Sequence, residues 1–342
     1  MAQHLNYEGS QALLLRSTLS MALMGIGLLG EGIAQAQPCG TISSGSYSTA
    51  DLCGPPAGTD ATITTSPGST FNITVSPALR ALANGAAASV AINGNTDILF
   101  APSPAASAVL AQTNASGTSA SISVLQGVNN ITLNGLAQDG LAIINAGAGP
   151  STITVAPGAT LNITHNVAGN ERDGIDVNAS GGGNISLNHQ GAGTISVRGG
   201  NGIWLKAVNA GSAAATVASG VTLQVDSTDP SSGGNHAGIH LRALGTGNVA
   251  VDSAATMSAA GTNAMGVYTE SASGANSIRN SGAITTTGLN GFGLRAVANG
   301  GDVTLVNQGA ITTSGPNAHA IYVNGASATA QSNINITNQG RW

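Results

Sequence analysis

Few side chains in this sequence can do chemistry, and many of them fall in one repeated pattern. Six short segments align: Gly174-Ile-Asp-Val-Asn-Ala179, Gly202-Ile-Trp-Leu-Lys-Ala207, Gly238-Ile-His-Leu-Arg-Ala243, Gly266-Val-Tyr-Thr-Glu-Ser271, Gly291-Phe-Gly-Leu-Arg-Ala296 and Ala320-Ile-Tyr-Val-Asn-Gly325. Positions two and four are apolar in nearly every copy. Side chains alternate along a strand, so positions three and five face outward. With the copies stacked in register, position three becomes a column of Asp176, Trp204, His240, Tyr268, Gly293 and Tyr322. Position five becomes a second column of Asn178, Lys206, Arg242, Glu270, Arg295 and Asn324. Three of the chain's 2 Trp and 4 Tyr lie in the first column, and its one lysine lies in the second. Aromatic faces stack on the apolar faces of sugars, and cations pair with carboxylate or sulfate groups. Trp204, His240, Tyr268, Tyr322, Lys206, Arg242 and Arg295 are therefore candidate contacts for a glycan or an anionic polymer. A purely structural ladder is the competing reading. In it the rings shield the sheet, and Glu270 bridges Arg242 and Arg295.

The remaining polar clusters point to less. Glu171, Asp173 and Asp176 place three carboxylates within six residues. Grouped carboxylates can serve as acid and base, or hold a cation, in polysaccharide cleavage. Arg172 sits among them, and a solvated turn explains the cluster as well. Asp226 and Asp229 beside Pro230 read as turn residues. His236 and His240 are four apart, which on a strand is one face, but no third ligand has a suitable spacing and His236 is expected in the turn before the strand. The sequence has no Gly-x-Ser-x-Gly elbow and no phosphate loop. We expect no catalytic residue, no metal site and no cofactor.

What positions the candidate columns is a repeat. The six starts lie 25 to 36 residues apart, about 29 on average, and a looser copy begins at Gly140. Each repeat holds two further alternating segments, such as Asn184-Ile-Ser-Leu187 and Thr194-Ile-Ser-Val197. Gly, Asn and Ser fill the gaps as turns. Three short strands per repeat describe one coil of a parallel β-helix. The expected fold is all-β, a solenoid of about ten coils covering 59–342. Residues 59–170 follow the same grammar more loosely, with no clear register over 80–130. A short helical turn near Ala78–Leu82 is the one exception to the strand pattern.

Composition agrees. Gly numbers 49 of 342 residues, about twice average usage, and only 7% of residues are charged. With 9 Lys and Arg against 14 Asp and Glu, no dense basic patch can form, which excludes a nucleic-acid partner. The apolar run Ser17–Gly30 follows Arg16 and precedes Ala34-Gln35-Ala36, a small-x-small pattern. Residues 1–36 therefore read as a secretory signal peptide. Residues 37–58 form an N-terminal cap. Cys39 and Cys53 are the only cysteines, and in an exported chain they should form one disulfide worth about 3 kcal/mol.

The signal peptide, the Asn-Ile-Thr strands and the phrase Asn307-Gln-Gly-Ala-Ile-Thr-Thr-Ser-Gly315 resemble the passenger region of Gram-negative autotransporters. That resemblance implies a right-handed β-helix displayed at the cell surface, often adhesive, carried outward by a C-terminal outer-membrane β-barrel. No barrel pattern is present. Asn338-Gln-Gly340 repeats Asn307-Gln-Gly309, and only Arg341 and Trp342 follow, so the passenger is expected to be truncated within its last coil. The expected function is non-enzymatic contact with a host-surface glycan or protein. Its expected place is the cell surface or medium, or the periplasm without a barrel. The alternatives are a polysaccharide-degrading β-helix enzyme and a non-functional remnant.

Overall fold

Period-two alternation with β-branched residues produces strands and nothing else here. The computed structural model describes residues 39–43, 45–47, 51–74, 79–101, 106–135, 138–167, 172–228, 236–325 and 332–341. The expected signal peptide lies outside them, as does Trp342. Among the described residues there are 31 strands and no helix. The chain visits three sheets in turn, and every strand pairs in parallel with the strands three before and three after it. One sheet has 11 strands, from Gly40–Ile42 to Ile334–Asn338. The second has 10, from Gly45–Tyr47 to Ile311–Ser314, and the third has 10, from Asp51–Cys53 to His319–Asn324. This is the three-stranded coil of a parallel β-helix.

The three segments read in each repeat fall one to each sheet. Ile185–His189 belongs to the first, Gly193–Arg198 to the second and Ile175–Ala179 to the third. The segment expected as a cap supplies the first strand of every sheet, so the helix starts at Gly40 rather than at 59. Cys39 and Cys53 are disulfide-bonded, with Cα atoms 4.8 Å apart, which ties the beginning of that first coil to its third strand. The described strands within 80–130 all stack in register, for example Ala88–Ile92 on Ala120–Val124. The helical turn expected near Ala78–Leu82 is instead a strand, Leu79–Ala83, with Leu79, Ala81 and Ala83 buried. Pairing with Val109–Thr113 overrides the helix propensity of its alanines.

Inward side chains form columns of like shape. In the third sheet Ile175, Ile203, Ile239, Val267 and Leu294 stack in one column and are fully buried. Each coil is covered only by its neighbours, so burial at about 25 cal/mol per Å² accumulates rung by rung. Glycine opens the corner before this sheet because the coils approach too closely for a Cβ. A Cβ on Gly174 would stand 2.6 Å from the Gly202 carbonyl oxygen, one on Gly202 2.6 Å from that of Gly238, and one on Gly266 2.6 Å from that of Gly293.

Corner backbone groups are satisfied by Asn and Asp of the adjacent coil. The side-chain oxygens of Asn184, Asn248 and Asp302 accept the amides of Ser212, Ala275 and Asn333 at 2.8–3.0 Å. Inside, Asn280 donates to Asn307 and Asn307 to Asn338, both at 2.8 Å. Each of the first two also donates to the carbonyl of the glycine two residues on, at 2.9 Å. The repeated Asn-Gln-Gly phrase is thus the sequence mark of a buried amide ladder.

Three buried histidines set an acid limit on this fold. Burial, the largest cause in each case, lowers His165, His189 and His236 to about 4 from an ordinary 6.5. The unfolded chain then binds protons that the native chain refuses. Stability is fully present above pH 6.5 and falls as pH drops from 6.5 toward 4, by on the order of 3 kcal/mol per histidine. Urea midpoints measured at pH 7.5, 5.5 and 4.5 should fall steadily. A flat profile would show that these rings take up protons inside the folded helix.

Candidate functional site

The outward face of the third sheet gathers most of the candidate residues. Asp176 pairs with Trp204, Trp204 with His240 and His240 with Tyr268, as in-register stacking requires. The next pairing departs from expectation: Tyr268 faces Arg295, and Arg295 faces Tyr322. Gly293 is not in the ring column. It is the corner glycine, since a Cβ there would meet the Ala320 carbonyl oxygen at 2.5 Å, as its counterparts meet theirs. The motif Gly291-Phe-Gly293 offers two glycines, and the second holds the corner. Arg295 therefore belongs to the first outward column, and Val297 takes its place beside Glu270 in the second.

The first column is a continuous stack. The Trp204 and His240 rings are 4.0 Å apart at 48°, and those of His240 and Tyr268 are 4.4 Å apart at 25°. The Arg295 guanidinium lies 4.6 Å from the Tyr268 ring centre and 5.7 Å from that of Tyr322. Two residues missed in the sequence extend this cluster. Phe292 packs against Tyr322 at 5.4 Å, and His319 stacks on Phe292 at 5.6 Å. Their signal was position: each precedes the corner residue, in the column of Ala237 and Met265. Ala237, Met265 and Tyr268 form a small apolar cluster outside the main core, with Phe292 and Val297 packed against it.

Glu270 does not bridge two arginines. It pairs with Arg242 at 2.8 Å and accepts the Tyr268 hydroxyl, while Arg295 is drawn onto the rings instead. Burial is the main cause that raises the Tyr268 phenol above its ordinary value, and the Glu270 contact adds to it. Burial also keeps His240 well below 6.5, helped by Arg242 and Arg295, so its ring is neutral at physiological pH.

At the Trp204 end the ladder borders an open groove of about 580 Å³. Asp176, Asn178, Trp204, Lys206, His240 and Arg242 line it from the outward columns, with Ala142 and Ile144 beyond. Asp139, Asp173, Asn201 and His236 line its corner side. These corner residues are tied into the frame. Asp139 accepts the Asp173 amide at 3.2 Å, Asp173 accepts the Asn201 amide at 2.5 Å, and Asn201 accepts the Ala237 amide at 2.9 Å. Ser107 donates to Asp139 at 2.7 Å, and His236 shares a hydrogen bond with Ser227 at 2.8 Å. His236 is thus a buried corner residue, while His240 stands in the outward column, so the two do not share a face. Asp173 and Asp176 separate in the same way. Glu171, Asp229 and Pro230 lie outside the described residues. Asp226 is not a turn residue: it lies in the strand Val221–Ser227, faces Arg198 at 3.8 Å and accepts the Thr228 amide at 3.0 Å just past the strand's end. Among the described residues no group of three His, Cys, Asp or Glu is placed to hold a metal ion.

The stack's interior should matter more to stability than its end. Tyr268→Ala removes a buried ring with neighbours on both sides and should cost about 3 kcal/mol. Trp204→Ala trims a half-buried terminal ring and should cost about 1–2 kcal/mol. Chemical denaturation of the two variants compares them directly, and equal losses would refute a stack held from its middle. No family model matches this chain, and comparison with curated proteins and with solved structures found no match.

Proposed function

We propose that this chain is an exported β-helical passenger that works by surface contact, not by catalysis. One observation carries the reading. In a chain with only 7% charged residues, rings and cations collect on one outward face, beside a groove. The export segment at 1–36 and the Cys39–Cys53 disulfide fit an oxidising compartment outside the cytoplasm. The cell surface is the place such a β-helix serves, with a host glycan or protein as partner. A rigid stack presenting repeated weak contacts gains avidity when many copies are displayed together.

A polysaccharide-degrading enzyme is the second reading, favoured by the carboxylates of Asp139, Asp173 and Asp176 around one groove. Two of these carboxylates accept backbone amides across the corner, a framework role that weakens their candidacy as acid and base. Beads coated with the purified chain should adhere to cells bearing surface glycans, and the free chain should release no reducing ends from polysaccharides. Absence of adhesion would overturn the contact reading. Reducing-end release that disappears in Asp176→Asn would replace it with the enzymatic one.

A further inference from the structure

The groove beside Trp204 has the makings of a defined subsite, and its chemistry narrows the ligand. Lys206, the chain's one lysine, lines it and has no hydrogen-bond or ion-pair partner among the described residues. The neighbouring cation is committed, because Arg242 is held by Glu270 at 2.8 Å. One buried polar atom on the lining also lacks a hydrogen-bond partner among the described residues, Asn178 Oδ1, whereas His240 Nε2 faces the Glu270 carboxylate at 4.0 Å. A buried polar atom without a partner is costly, so it marks where a ligand's hydroxyl group would be rewarded. The Trp204 indole supplies the apolar face.

We propose that this groove binds an acidic saccharide, a pyranose chain carrying isolated carboxylates, with one sugar ring against Trp204 and one carboxylate on Lys206. The proposal rests on the contact reading above and names the ligand class. Three features select that class. A single uncommitted ammonium matches a single negative charge. Asp139, Asp173 and Asp176 on the same lining disfavour a densely sulfated or phosphorylated polymer, whose closely spaced charges would meet these carboxylates on the coils before the lysine. Asn178 lies directly opposite Lys206 in the strand pairing, so a hydroxyl neighbouring the carboxylate can reach its amide while the ammonium holds the charge. The groove volume of about 580 Å³ suits a short oligosaccharide.

Titration calorimetry of the full chain with a neutral galactose oligomer carrying one galacturonate residue, the methyl ester of that oligomer and a densely sulfated oligomer of equal length tests this. The acid should bind about tenfold tighter than the ester, close to 1.4 kcal/mol. Lys206→Met should abolish that preference and leave ester binding unchanged, while Lys206→Arg should keep it. Trp204→Ala should weaken acid and ester together, and Trp204→Phe should restore part of the loss if the alanine variant is poorly folded. Equal binding of acid and ester overturns the proposal, as does a preference for the sulfated oligomer or indifference to Lys206→Met. If bead adhesion persists while these titrations fail, the contact reading stands and the saccharide assignment falls. If adhesion is absent as well, both fall.

Discussion

A parallel β-helix has no closed core within one coil. Each coil's apolar face is covered only by the coils before and after it, so the hydrogen-bonded register between rungs decides which residue touches which. Shifting one strand by a single residue would turn Ile203 and Leu205 outward and bury Trp204 and Lys206. The corner glycines hold that register, because only a residue without a Cβ fits where Gly174 meets Gly202 and Gly266 meets Gly293. Corner Asn and Asp side chains reinforce it by accepting amides from the next coil. The low charge content follows from the same stacking. Like charges one rung apart would repel along the whole column.

The register also explains what was legible in the sequence. Alternation and a recurring corner glycine suffice to read three strands per coil, because in this fold local pattern and global packing coincide. The single error in the outward columns came from a place where that signal is doubled. Gly291 and Gly293 flank Phe292, and a repeat counted from the first places Gly293 among the rings and Arg295 among the charges. Counted from the second, Arg295 stacks between Tyr268 and Tyr322, which is what the pairing shows. Spacing alone could not choose between the two glycines, because coil length varies. Close approach of the next carbonyl does choose.

Less legible were interactions that cross corners. Asp173 and Asp176 are neighbours in a short acidic run, yet one is bound into the frame and the other lines the outward face. Their difference depends on which amide each meets one coil away, and a single repeat does not contain that information. The same holds for Phe292 and His319. They look like isolated residues until the column containing Ala237 and Met265 is stacked.

That corner column accounts for the position of the groove. It runs Ser107, Asp139, Asp173 and Asn201 through four coils, then Ala237, Met265 and Phe292. Over the first stretch the side chains are short and held by hydrogen bonds to the next coil, so among the described residues none of this column covers the outward residues beside it. Over the second, Met265 and Phe292 fill the corner and pack with Tyr268, building a cluster above the sheet. Among the described residues the surface is therefore low on one side of His240 and raised on the other. Trp204 and His240 stand at the step, where the ring ladder becomes the wall of the groove. The structural ladder and the ligand site are then one construction. The rings that stabilise the stack at Tyr268 hold the indole of Trp204 in place at its open end, and a ring fixed in advance costs less entropy when a ligand settles on it.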